Sequence, residues 1–270
     1  VESLMGLFYL LALYCAIRAS GAWYPRVWSA AAIASCACGM ATKEVMVTAP
    51  IVVALWDHLF GAPRPGGTGR LRWGLLAGLA STWLVLGALV AHEHRGPSVS
   101  LAPGTVWLYL LAQAEVVAHY LRLAFVPSPL VFLYDWPLGS SLGAVAWQAS
   151  LLTALIVLTL VGIGRRHPAS FLGAWFFLIL APSSSVLPIV TEVAAEHRMY
   201  LPLAAVIAGV WCGLFVVGRR LLTASGASAV AGVVAAVVVV LALGLETRDR
   251  NRVYGNGEGL WHDTVTKRPN

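Results

Sequence analysis

Residues 105–126 read TVWLYLLAQAEVVAHYLRLAFV, and the placement of this stretch decides how the rest of the chain is threaded. It is long enough to cross a bilayer as a helix, yet Gln113, Glu115, His119 and Arg122 interrupt its apolar run. If it crosses, the arginine pairs that follow change sides and the basic loops no longer share a face. If it lies on a surface, or dips in and returns, Arg18, Arg26, Arg64, Arg70, Arg72, Arg165, Arg166, Arg219 and Arg220 fall together. Every acidic residue except Asp57 then falls on the opposite side. This segregation favours an amphipathic or re-entrant helix on the outer surface.

Seven apolar stretches flank that segment, at 4–19, 27–41, 45–60, 73–91, 142–163, 201–217 and 227–245, with a shorter eighth at 171–181. The chain has 270 residues, of which 59% are hydrophobic and 11% charged, and its mean hydropathy is +0.78. Soluble domains carry about 25% charged residues. The composition therefore predicts an all-α, polytopic transmembrane bundle of seven to eight spans, an integral multi-pass protein. The net charge of +6 comes from bases in short loops, so it marks orientation and not nucleic-acid binding.

Within this frame Pro50 predicts a kink in the third span, and Pro202 opens its helix at no cost in hydrogen bonds. Residues 61–69, rich in Gly and Pro, read as an inner connector. Cys15, Cys36, Cys38 and Cys212 all lie in apolar stretches and read as small buried hydrophobes. Beyond residue 245 the composition turns polar, and residues 246–270 read as a hinge followed by one short outer helix. The chain opens on Val1-Glu2-Ser3 and ends on Lys267-Arg268-Pro269-Asn270, the expectation being an internal piece of a longer protein.

Four groups of ionisable residues gather on the acidic face. Glu115, His119 and Arg122 stand at i, i+4 and i+7, one stripe of a helix. Lys43-Glu44 occupies a short turn between apolar helices, where a carboxylate can orient a sugar or accept a proton. Glu196-His197-Arg198-Met199-Tyr200 immediately precedes a helix, and the guanidinium fork of Arg198 suits a phosphate. Asp135, between Tyr134 and Trp136, combines a carboxylate with aromatic faces, as sugar sites do. His92-Glu93-His94-Arg95 is the fourth charge cluster, and two histidines in one loop do not make a metal site. Each group has a plainer reading as a solvated face or an interfacial anchor. No phosphate-binding glycine loop, nucleophile elbow or zinc signature is present.

Taken in order, Ala41-Thr42-Lys43-Glu44-Val45, His119-Tyr120-Leu121-Arg122 with Pro127-Ser128-Pro129-Leu130, and Glu196-His197-Arg198-Met199-Tyr200-Leu201-Pro202 resemble a membrane family. It is the family of transmembrane, tetratricopeptide-repeat proteins that includes the protein O-mannosyltransferases, glycosyltransferases of the GT-C type. Residues 259–263 and 267–270 resemble the beginning of its repeat array. The resemblance implies a membrane domain at 1–245 and a region leading into repeats at 246–270. It also implies transfer of a sugar, mannose in the family, from a polyprenyl- or dolichyl-phosphate donor to Ser or Thr hydroxyls of an acceptor protein. The active face would be periplasmic, extracellular or luminal. Acidic catalytic residues of GT-C enzymes usually lie in a first outer loop, here expected upstream of Val1.

On this reading Arg198, His197 and Arg122 meet the donor phosphate. Lys43, Glu44, Glu115, His119, Asp135, Glu196 and Tyr200 shape the sugar or acceptor pocket. No metal ligand is assigned, although a divalent ion is compatible with the chemistry. The expected partners are the lipid bilayer, the lipid-linked sugar and the acceptor protein. Rival readings are a transporter or flippase of an anionic lipid, or a non-catalytic anchor for a repeat scaffold.

Overall fold

A computed structural model describes residues 1–21, 23–61, 72–92, 103–132, 134, 136–138, 141–182, 184, 193–221, 226–255 and 257–267. Asp135, Arg64, Arg70, the Glu93-His94-Arg95 group, most of the connector at 61–69 and the last three residues lie outside them. The described residues form ten α-helices: α1 (Glu2–Arg18), α2 (Pro25–Met40), α3 (Ala49–Phe60), α4 (Trp73–His92), α5 (Pro103–Phe125), α6 (Ala146–Gly164), α7 (Ser170–Ala181), α8 (Pro202–Leu221), α9 (Gly226–Tyr254) and α10 (Gly257–Lys267). Two 3-10 turns, Glu44–Thr48 and Glu196–Met199, precede α3 and α8.

The core follows from helical spacing. On α1, Met5, Tyr9, Ala12 and Ala16 recur every three or four residues and are buried. Helix α1 packs on α2, whose buried residues Ala32, Ser35, Cys36 and Gly39 are small. Tyr9 carries the order further. Its hydroxyl pairs with Thr48 Oγ1 at 2.9 Å, and its ring meets Trp175 of α7 edge-on at 5.4 Å. Trp175 Nε1 in turn donates to the Leu201 carbonyl at 2.9 Å, tying α7 to the start of α8.

Asp57, the one acid expected among the bases, is bound by one of them. Arg72 grips it with two N–H donors, Nε to Oδ2 at 3.0 Å and Nη2 to Oδ1 at 2.5 Å. A third donor, Nη1, reaches the Ala16 carbonyl at 2.5 Å, so one guanidinium joins α1, α3 and the approach to α4.

The seven- to eight-span bundle is corrected by these helices. Among the described residues only α6 is long and apolar enough to cross a membrane, and it lies largely exposed. The apolar parts of α4, α7 and α8 are shorter. Helices α3 and α7, at 12 residues each, extend about 18 Å against the roughly 30 Å of a bilayer core. Much of the apolar content in these stretches is core: Val52, Val53, Phe176 and Ile179 are buried against neighbouring helices. The multi-pass localisation, and with it the assignment of an outer active face, is not supported.

Helix α5 also departs from expectation. It runs unbroken over 23 residues, which puts its ends about 34 Å apart, so it does not turn back. Nor is it an outer helix, because Tyr109, Ala112, Val116 and Tyr120 are core residues. Pro50 makes no kink, since the third stretch divides into a 3-10 turn and α3, and Pro50 falls in the first turn of α3. Cys15 and Cys36 are buried, the latter 3.3 Å from Thr82 Oγ1, but Cys38 and Cys212 are exposed. Helix α9 continues through residue 245, and the chain turns at Gly255.

Candidate functional site

The polar groups converge where α5, the loop after it and the 3-10 turn at Glu196–Met199 meet. On α5 the core face is Tyr109, Gln113, Val116 and Tyr120, spaced i, i+4, i+7 and i+11. At about 100° per residue, the Glu115/His119/Arg122 stripe lies roughly 120° round from that face. Arg122 is turned farthest from it and is exposed, while Glu115 and His119 are half-buried. Arg122 makes no side-chain hydrogen bond or ion pair among the described residues.

The loop folds its aromatic residues back over the stripe. His119 packs against Tyr134 at 5.4 Å and against Trp136 at 5.3 Å between ring centres, and Tyr134 and Trp136 stand 6.3 Å apart. Trp136 Nε1 donates to Glu115 Oε2 at 3.0 Å. Three rings and a carboxylate are thereby locked into one group.

A 3-10 turn advances about 120° per residue, so three consecutive side chains diverge in three directions. Glu196 turns to the loop, where its Oε1 accepts from Val131 N and from the Tyr134 hydroxyl, both at 2.7 Å. His197 turns outward, with Nε2 3.9 Å from Glu2 Oε1. Arg198 turns inward, is 7% exposed, and donates from Nη1 to the Val193 carbonyl at 3.3 Å.

Gln113 and Tyr120 hold the segment that leads into the turn. Gln113 Nε2 donates to the Val193 carbonyl at 2.9 Å. The Tyr120 hydroxyl donates to the Ala195 carbonyl at 2.9 Å and accepts from Ala195 N at 2.7 Å. Burial pushes the Tyr120 phenol up to about 12, against the opposing pull of the Ala195 hydrogen bond and the Arg198 charge. Burial likewise raises Tyr134 above the usual phenol range, and the hydrogen bond to the Glu196 carboxylate adds to the rise. Both phenols stay protonated at neutral pH and serve as donors.

Lys43 and Glu44 part company. Lys43 Nζ forms an ion pair with Glu2 Oε1, the same carboxylate that His197 faces. Glu44 is half-buried at the start of its 3-10 turn and makes no hydrogen bond or ion pair among the described residues. The Tyr200 ring lies over Gly6 of α1, where an added Cβ would stand 2.7 Å from Tyr200 Cε1. Asp135 lies outside the described residues.

The structure thus brings Glu115, His119 and Glu196 into one cluster through Tyr134 and Trp136, turns Arg198 inward to the Val193 carbonyl, and joins Lys43 and His197 through Glu2. Among the described residues it leaves Glu44 and Arg122 without such a link. Sequence reasoning passed over Glu2, Gln113 and Tyr120. The i+7 spacing of Gln113 and Tyr120 on the core face is the signal that marks them; Glu2 has none, because its partners are remote in the chain. Among the described residues no three His, Cys, Asp or Glu side chains are grouped to hold a metal ion.

No family model, curated protein or solved structure matches this chain.

Proposed function

We propose that this chain is part of a glycosyltransferase that moves a sugar from a lipid-phosphate donor to a protein hydroxyl. The observation that carries the reading is the joining of Glu115, His119, Tyr134, Trp136 and Glu196 into one aromatic and acidic group. Carboxylates accept hydrogen bonds from sugar hydroxyls, and ring faces receive the apolar side of a pyranose. Glu196 uses only Oε1 in its two bonds, and Oε2 makes none among the described residues.

In the transfer, the bond between the sugar and the phosphate breaks while the acceptor oxygen bonds to the sugar and gives up its proton to a carboxylate base. The phosphate leaves as an anion, a step that positive charge stabilises. Arg198, turned inward from the 3-10 turn, and His197, turned outward from it toward Glu2, are the groups assigned to that anion. Arg198 meets it by exchanging its bond to the Val193 carbonyl for the stronger bond to a phosphate. Likeness to the repeat-bearing mannosyltransferases supports mannose as the sugar.

Sugar transfer from a polyprenyl-phosphate mannose donor to acceptor peptide tests the reading in the full-length protein. Arg198→Lys, which keeps the charge but loses the fork, is expected to lower transfer about tenfold or more, and Arg198→Ala at least as far. Transfer unchanged by Arg198→Ala would remove the phosphate role. A second reading, a non-catalytic scaffold, draws on the bonds by which Arg198 and Tyr120 hold their own backbone. Trp136→Ala separates the two: loss of transfer with helicity intact favours the enzyme, and unchanged transfer favours the scaffold.

A further inference from the structure

A groove of about 580 Å³ runs between α6, α7 and α8, with Leu121 of α5 at its side. It shares no lining residue with the polar cluster, and its volume is that of a small-molecule site. Leu155, Leu158, Phe176 and Val206 make its walls apolar. Two hydroxyls also line it, but each is already committed to its own helix or turn. Thr159 Oγ1 donates to the Leu155 carbonyl at 2.8 Å, and Ser170 Oγ donates to the His167 carbonyl at 2.6 Å.

The remaining polar side chains, Arg165 and His167, both stand at the α6–α7 turn. Arg166 between them adopts φ 53°, a left-handed conformation that reverses the chain and leaves its two neighbours lining the groove. His167 Nδ1 accepts from Ala169 N at 3.3 Å, which places the ring proton on Nε2 as a donor. Arg165 makes no side-chain hydrogen bond or ion pair among the described residues. The groove therefore has apolar walls and a cationic, donor-rich end.

We infer that this groove binds a single-chain amphiphile, its anionic head held by Arg165 and His167 and its chain laid along α6 toward Leu155. Leu155 and Arg165 stand ten positions apart, about 15 Å along the helix axis, room for an unbranched chain of dodecyl length. A guanidinium fork beside an imidazole N–H matches a carboxylate or a phosphate monoester, and a cationic head would be repelled. The inference does not rest on the transferase reading, because the site and its residues are separate.

Four probes of one chain length test it by calorimetric titration of the whole chain: laurate, dodecyl phosphate, dodecanol and dodecyltrimethylammonium, each below its micelle concentration. At least one of the two anions is expected to bind about tenfold tighter than the alcohol or the cation, and the tighter anion names the head group. Arg165→Ala with His167→Ala is expected to bring that anion to the level of dodecanol. Val206→Trp, which fills the groove, is expected to weaken the alcohol and the anions alike. Far-UV helicity equal to the parent's shows that these variants fold. Equal binding of all four probes, no binding of either anion, or an anion affinity indifferent to the loss of Arg165 and His167 would overturn the inference.

Discussion

Tyr120 does more at the candidate site than its neighbours that carry charge. Its hydroxyl is both donor and acceptor to Ala195, so it positions the backbone that sets the direction of Glu196, His197 and Arg198. Tyr120→Phe is expected to cost about 1–2 kcal/mol by leaving the buried Ala195 amide and carbonyl without that partner. A pH dependence accompanies it. A phenol whose folded pKa lies above its unfolded value binds its proton more tightly when folded. Its contribution is full below 10.0 and is lost as pH rises to about 12. Tyr134 and Tyr9 shift in the same direction, so the wild-type chain should lose stability in alkali, and Tyr120→Phe should lose less. Urea midpoints taken across that range decide it. An alkaline decline of identical depth in the variant would place the effect elsewhere.

Between elements, close approach rests on glycine at the α6–α7 contact. A Cβ on Gly173 would lie 2.2 Å from Thr159 Oγ1 and 3.2 Å from Thr159 Cβ. Thr159 is branched at Cβ and cannot swing aside cheaply, because its hydroxyl is bonded to the Leu155 carbonyl. Gly173→Ala is therefore expected to destabilise by about 1–3 kcal/mol. Thr159→Ala in the same chain should recover part of that loss, since the nearest atom is removed and the next is still tight. Thermal denaturation of the two single variants and the double variant measures the coupling, and strict additivity would show that the helices do not meet there as described. The sequence shows Gly173 as one small residue in an apolar run. Nothing in it names Thr159 as the neighbour, because the contact joins two helices across a turn.

For the molecule as a whole, the exposed apolar surface is the dominant property. Trp147, Leu151, Val157, Leu160 and Val161 of α6 all lie exposed. Contiguous apolar surface of this kind marks contact with a partner, a lipid or another copy, and drives association in water. The purified chain is expected to sediment as larger species in buffer alone and as a smaller species in mild non-ionic detergent. Val157→Lys with Leu160→Lys should reduce the association in buffer. Sedimentation velocity reads both, and a profile unchanged by the lysines would assign the association to another surface.

Composition and periodicity by themselves determine that the chain is helical and where its helices fall, because an apolar side chain every three or four residues is a local property of the backbone. The sequence also marks the stripe of Glu115 and His119, the polar turn at Glu196–Arg198 and the aromatic loop, each a cluster of neighbours in the chain. Apolar content does not state what covers it, so the stretches at 45–60 and 171–181, predicted to face lipid, proved to hold the short helices α3 and α7 packed on their neighbours, and α5, predicted to lie outside, proved to be core. Only the tertiary structure decides the partners: Lys43 with Glu2 and not Glu44, Trp136 with Glu115, Glu196 with Tyr134, and Arg198 turned inward to Val193. The physical reason is one of range. A hydrogen bond is set within about 3 Å, while the groups it joins at this site stand up to 80 residues apart in the chain, and only the packing of α5 beneath the loop and the 3-10 turn brings them into reach.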